Sequence, residues 1–256
     1  MNFFSLLGVE FKKIKRSKIF FILFAAAVVN WVPSVLHADL NFQMQAEGIS
    51  PENNFLIQGY LAMSWFMFPA AMVVGTVLLG QTERSNRGMV KMLSLPVHAS
   101  KLCLAKFAVL LVLAAVQILL MTGMYYISAA VCSATQDYPF LVSPLFVAKE
   151  TGFLFLSAIP MTAFFWMLSV CFQTPVFSIG TGLATIVPSV LMINTKVWFA
   201  YPMAYPFFVI TAEYGRLAKH MDTVQVKLIP WIPVAVVITL LCLGISCIRF
   251  GQAERR

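Results

Sequence analysis

The chain has 256 residues, of which 60% are hydrophobic and only 11% charged, against roughly 25% charged in ordinary soluble proteins. That composition excludes a soluble globular fold and assigns the chain to a bilayer. A net charge of +8 could point to nucleic acid, but long charge-free stretches separate the basic residues and no single basic stripe forms, so that partner is excluded too.

Residues 1–18 set apolar Phe3, Phe4, Leu7 and Phe11 against Glu10, Lys12, Lys13, Lys15 and Arg16. This pattern predicts either a helix lying on the membrane surface or a basic topology signal, and it has no small-residue cleavage site. Uncharged runs then extend over 19–38, 53–82, 107–136, 151–195 and 228–248, where a spanning helix needs about 20 residues. The 151–195 run would make a helix of roughly 65 Å, about twice the ~30 Å hydrocarbon core, so it folds back. Gln173, Thr174 and Pro175 supply the break, because a proline biases the residue before it away from helix. Six spans result, near 19–38, 57–80, 106–131, 149–172, 176–194 and 230–249, and both termini share one side.

Thirteen of the eighteen basic residues fall on that side, in the N-terminal segment, between the second and third spans, and after the last span. The positive-inside rule makes it cytoplasmic. The first two outer loops carry Asp39, Glu47, Glu52, Asp137 and Glu150 with Lys149 as their only basic residue. Lys196, Arg216, Lys219 and Lys227 lie on the outer side, against the rule, but the early helices and short loops weigh more. There, in 195–229, an uncharged stretch contains Trp198, Tyr201, Pro202, Tyr205 and Pro206. It reads as short re-entrant helices dipping into the outer interface, or alternatively as a surface loop with an aromatic anchor.

Several chemistries are missing. No charged residue is assigned to mid-depth of a span, which disfavours ion-coupled carriers. His37, His98 and His220 are scattered, and neither H-E-x-x-H nor G-x-S-x-G occurs, so hydrolysis is not indicated. Cys103, Cys132, Cys171, Cys242 and Cys247 are odd in number with no CxxC pair, so no metal site or disulfide framework is expected. None of the thirteen glycines precedes a lysine, so the P-loop is absent and any ATP must be hydrolysed by a partner. Prolines at 33, 69, 160, 188 and 233 permit kinks, and Asn30, Gln117, Thr162 and Ser169 are expected to hold helices together. No linker or internal repeat divides residues 1–256, which read as one transmembrane domain.

Between the second and third spans, in 81–100, Glu83 and Arg87 lie four apart on one helical face while Met89, Met92 and Leu93 form an apolar patch ahead of Pro96. The segment reads as a short cytoplasmic amphipathic helix able to enter a groove on a soluble protein, or as a solvated basic loop.

Here the sequence resembles the type-2 ABC exporter permeases, most closely the small permease subunits of lantibiotic and bacitracin immunity exporters. The matching positions are Glu83, Gly88, Leu93, Leu95, Pro96, Lys101, Leu102 and Lys106, supported by the basic start at 10–16 and the aromatic-proline stretch after Lys196. Met89 departs from the small hydroxyl residue common after that glycine. The resemblance implies an all-α membrane protein with an N-terminal cytoplasmic interfacial helix and six spans. It further implies a coupling helix carried by Glu83, Arg87, Gly88, Met92, Leu93, Leu95 and Pro96, and an outer gate carried by Trp198, Tyr201, Pro202, Tyr205 and Pro206. Two permeases, identical or related, would sit on two copies of a P-loop ATPase holding ATP and Mg. This chain would bind no cofactor, would contact membrane lipid and an amphipathic peptide or lipid-like cargo, and would lie in a bacterial cell membrane. The rival expectation is a non-transporting sensor or scaffold.

Overall fold

The structure, a computed structural model, describes residues 3–15, 17–43, 45, 48–84, 98–172, 174–218, 226 and 228–252, with the backbone alone for residues 15 and 81–84. Among these residues every regular element is helical. Helix α1 (Phe3–Lys15) precedes the first span, α2 (Ile19–Leu36), and a short α3 (Leu40–Gln43). The second span joins α4 (Pro51–Ala62), a π-helical turn at Met63–Met67 and α5 (Phe68–Arg84). The third and fourth spans are α6 (Ala99–Gln136) and α7 (Pro144–Cys171), and the fifth is α8 (Pro175–Ile186) with α9 (Ser189–Met192). Two 3-10 turns, Trp198–Ala200 and Pro202–Ala204, lead into α10 (Tyr205–Leu217), and α11 (Leu228–Gln252) is the sixth span.

Among the described residues six helices are long and apolar enough to cross a membrane, matching the number expected from the charge-free runs. Their bounds are wider than hydropathy alone gives. The third span has 38 residues, about 57 Å at 1.5 Å per residue, so its ends project beyond a ~30 Å core. Lys106, expected at its edge, therefore lies inside the helix. The fold-back comes where proline chemistry puts it: Phe172 and Thr174 are extended (ψ 125° and 126°) and Pro175 opens α8.

The other prolines act unequally. Pro33 and Pro160 sit within continuous helices, whereas the fifth span breaks between Ile186 and Ser189, around Pro188. Pro69 lacks an N–H and its ring crowds the carbonyl four residues back, at Trp65, which lies within the π-helical turn. Widening the helix there absorbs the clash.

The third span is the hub: α1 and the first span run along it, and it meets the fourth and sixth spans, while α5 packs on α8. Without water to satisfy them, polar groups in a bilayer pair internally. Trp31 Nε1 donates to the Met121 carbonyl at 2.8 Å, and Asn30 Nδ2 donates to the Gly59 carbonyl at 3.2 Å. The Tyr60 hydroxyl lies 3.1 Å from that of Thr122 and 2.9 Å from that of Thr151, tying the second, third and fourth spans together. Small residues admit these contacts: a Cβ on Gly59 would stand 2.3 Å from the Trp31 ring, and one on Gly182 would stand 2.7 Å from Val73. Asn30 and Ser169, which donates to the Thr76 carbonyl, bridge helices as expected, whereas Thr162 bonds within its own helix. Gln117 is buried, and neither of its amide atoms is hydrogen-bonded to any described residue. The outward faces are apolar, including Phe20, Phe21 and Phe24 of the first span and most of the sixth.

Candidate functional site

Functional side chains gather at the two ends of the bundle. At the end that carries the termini, α1 docks on the third span through Leu6, Glu10 and Ile14, which recur every four residues and are buried together. Phe3, Phe4 and Phe11 stay exposed on another face. The sequence pattern grouped Glu10 with the polar surface; the structure puts it on the packed side. Its carboxylate accepts from Lys106 Nζ at 2.7 Å and from Lys13 Nζ at 2.8 Å, with Glu10 and Lys106 only 2% and 1% exposed. Burial works to raise the Glu10 carboxyl, but Lys106, by charge and hydrogen bond, and then Lys13 outweigh it and hold the group below its ordinary value. Lys106 is also the trailing lysine of the 81–106 motif, so the ion pair clamps the N-terminal helix to the span that leaves that segment.

Of the coupling residues, Arg87, Gly88, Met92, Leu93, Leu95 and Pro96 lie outside the described residues, and Glu83 is described by its backbone in α5 alone.

At the opposite end, the stretch after the fifth span forms an aromatic cap. Trp198 stacks on Phe208 with ring centroids 3.6 Å apart and meets Tyr205 at 6.1 Å and Trp231 of the sixth span at 5.4 Å. The Tyr205 hydroxyl donates to the Phe199 carbonyl, and the Tyr201 hydroxyl donates to the Thr185 carbonyl of the fifth span. Pro202 opens the second 3-10 turn and Pro206 lies in the first turn of α10, positions that need no helical N–H. The five residues expected at an outer gate therefore lie in one packed unit, with Trp198 and Tyr205 in the ring cluster and Tyr201 fastening it to the fifth span. Helix α10 packs on the fourth and second spans.

Beneath this cap lies a cavity of about 960 Å³ between α7, α10 and α11, at the upper end of the ~300–1,000 Å³ usual for small-molecule sites. Its walls include Leu156, Val236 and Leu240, which are exposed on the outside of the bundle, so it opens laterally. Four charged groups edge it: Lys149, Glu150, Glu213 and Arg216. Arg216 Nη2 and Nε both donate to Glu213 Oε1. Lys149 Nζ lies 3.3 Å from Glu150 Oε1 and 5.6 Å from the Phe153 ring centre. Sequence reading missed this site because it assigned Glu150 to an outer loop and read the aromatic stretch without its partner Trp231. An acid seven residues into a 28-residue apolar helix was the available signal. Among the described residues no three His, Cys, Asp or Glu gather as metal ligands, and all five cysteines are free.

A six-span helical bundle whose outward faces are apolar is a multi-pass membrane protein. Residues 6–189, from α1 to the start of α9, match the family described as ABC-2 family transporter protein, and the chain belongs to that family. It is thus a permease component of an ABC transporter, a class that works with an ATPase partner. No curated protein and no solved structure gives a significant match.

Proposed function

We propose that this chain is the permease subunit of an ATP-driven exporter that expels an antimicrobial peptide of lantibiotic, bacteriocin or bacitracin type, or a related lipid-like amphiphile, for immunity or resistance. The observation that carries the reading is the family match over residues 6–189 in a chain with no P-loop. The peptide cargo is supported by the resemblance through Glu83, Gly88 and the Leu93-to-Lys106 motif. The permease pairs with an identical or related chain, and two P-loop ATPase subunits carry ATP and Mg. Both termini are cytoplasmic, by the excess of basic residues on their side.

ATPase closure pushes the segment around Glu83 to Leu95, and the helices joined to it rock the first, second and fifth spans at the permease interface. The buried α5–α8 contact at Gly182 and Val73 supports these helices moving as one body, because packed interfaces shift between discrete states instead of deforming continuously.

Co-expression with the neighbouring genes and measurement of the intact mass of the purified complex tests the architecture. Two permeases with two ATPases are expected; recovery without an ATPase, after controls for detergent loss, would favour a sensor or scaffold. Glu83→Ala and Gly88→Pro should each abolish peptide resistance while leaving insertion intact. Full resistance in both would remove the coupling role.

A further inference from the structure

At the end that carries the termini, the first turns of the third span meet the last turns of the sixth. The two helices run antiparallel and touch through small residues: a Cβ on Gly251 would stand 3.7 Å from that of Ala99. One turn before Gly251, the Cys247 thiol reaches the Ser100 carbonyl at 3.9 Å. In an α-helix that carbonyl points along the axis toward the residue four positions on, which sets the Cys247 sulfur level with Cys103. The two thiols lie within hydrogen-bonding reach of each other. Two cysteines far apart in sequence therefore face one another across a helix crossing.

Their surroundings differ. Cys247 is half-buried, whereas Cys103 has no exposed surface. Trp166 Nε1 of the fourth span donates to Cys103 Sγ at 3.4 Å. An N–H on the sulfur steadies the negative charge that builds there when it acts as a nucleophile. The exposed Lys101 and Arg249, next to Ser100 and two positions past Cys247, make this end of the pair electropositive, the setting in which thiols react with oxidants. On the cytoplasmic side, where the proposed topology places this end, thiols rest reduced and the disulfides that form are transient or redox-sensing.

We infer that Cys103 and Cys247 form a reversible dithiol switch that hydrogen peroxide closes. The accessible Cys247 sulfur attacks one peroxide oxygen, the O–O bond breaks, and the thiol proton leaves with the departing hydroxide as water. Cys247 is then a sulfenic acid. The Cys103 sulfur displaces its hydroxyl, the S–S bond forms, and the Cys103 proton leaves with that hydroxyl as a second water. Two thiols supply the two electrons that reduce one peroxide, and a thiol reductant reverses the link by exchange.

The link staples the third span to the sixth one turn from Lys106, at the end of the helix that follows residues 81–97. It rests on the export reading for its consequence: the helix that carries the ATPase stroke is held in one place, and export stops until the bond is reduced.

Purified full-length protein treated with hydrogen peroxide, then alkylated and digested for peptide mass spectrometry, tests the switch. Wild-type protein should give a joined peptide pair carrying Cys103 and Cys247, which dithiothreitol separates. Because the bond closes a long loop, linked protein should also unfold at a higher temperature than reduced protein. Cys103→Ala should instead accumulate sulfenic acid at Cys247, trapped by dimedone. A link through Cys171, or Cys247 sulfinic acid with no link, in wild-type protein would overturn the pair. If Cys103→Ala does not fold, a wild-type time course decides the order: dimedone should label Cys247 before the link appears, and labelling of Cys103 first would overturn it. These readouts need neither cargo nor ATPase. In the complex reconstituted with its ATPase, export should fall at least several-fold on linking and return with dithiothreitol, while Cys247→Ser stays insensitive to peroxide. Undiminished export by linked protein would overturn the arrest, whereas absence of export from reduced protein counts against the export reading alone.

Discussion

Glu10, 2% exposed, and Lys106, 1% exposed, form a buried ion pair. Removing the carboxylate takes from Lys106 and Lys13 a shared acceptor, and breaking a buried pair costs up to about 3–5 kcal/mol. Glu10→Gln should therefore lower the thermal unfolding temperature in detergent and expose the 3–15 helix to protease. Glu10→Leu combined with Lys106→Leu should recover part of that loss, because an apolar pair needs no compensation. The pH dependence follows from the depressed Glu10 carboxyl. Its stabilisation is complete above the ordinary value of 4.5 and is lost as pH falls through the lower folded value. Protection of α1 from protease should hold through neutral pH and fail only in acid below about 4.5. Failure near pH 6–7 would assign the clamp to another group. Gly59 gives the steric counterpart. Gly59→Ala drives a methyl into the Trp31 ring, and an overpacked core position costs about 1–3 kcal/mol, so its melting temperature should fall even though alanine favours helix.

Among the elements, the spans were legible and their junctions only partly so. The proline after Gln173 and Thr174 dictated the turn between the fourth and fifth spans, because an X-Pro step is a local steric fact. The π-helical turn at Met63–Met67 was not legible: Pro69 announces a disturbance, but whether a helix kinks, breaks or widens depends on its neighbours. The aromatic stretch at 198–206 read as re-entrant helices, and the structure gives two 3-10 turns and α10 packed on the fourth and second spans. The Tyr60, Thr122 and Thr151 hydroxyls join three spans, so Tyr60→Phe tests how far one buried network holds them. The Thr122 to Thr151 contact of 3.2 Å survives that change, and interhelical hydrogen bonds in membranes average only about 0.6 kcal/mol. A drop of a degree or two in melting temperature is expected; collapse of the fold would mean that Tyr60 does more than the geometry gives it.

At the scale of the whole molecule, the proposed topology of six crossings puts both termini on one face, the face to which the sequence reading assigns thirteen of the eighteen basic residues. A protease-cleavable tag at either end should be protected in intact spheroplasts and cut after lysis, and cutting at one end before lysis would require an odd number of crossings. The same count puts the ion-pair clamp and the lateral cavity at opposite ends of the bundle. A permease that couples an ATPase to the outer face needs structure at both.

The sequence by itself determined the spans, their number and the likeness to exporter permeases, because transfer into a bilayer is nearly a sum over individual residues and the motif is contiguous. Tertiary structure alone decided which charges meet. Glu10 and Lys106 lie 96 positions apart, and Glu150 and Trp231 share a cavity only because the fourth and sixth spans pack together. Side-chain type announces that a buried charge needs a partner. Which partner it finds depends on how the helices pack, and the packing depends on small residues such as Gly59 and Gly182 whose effect appears only when another helix comes close.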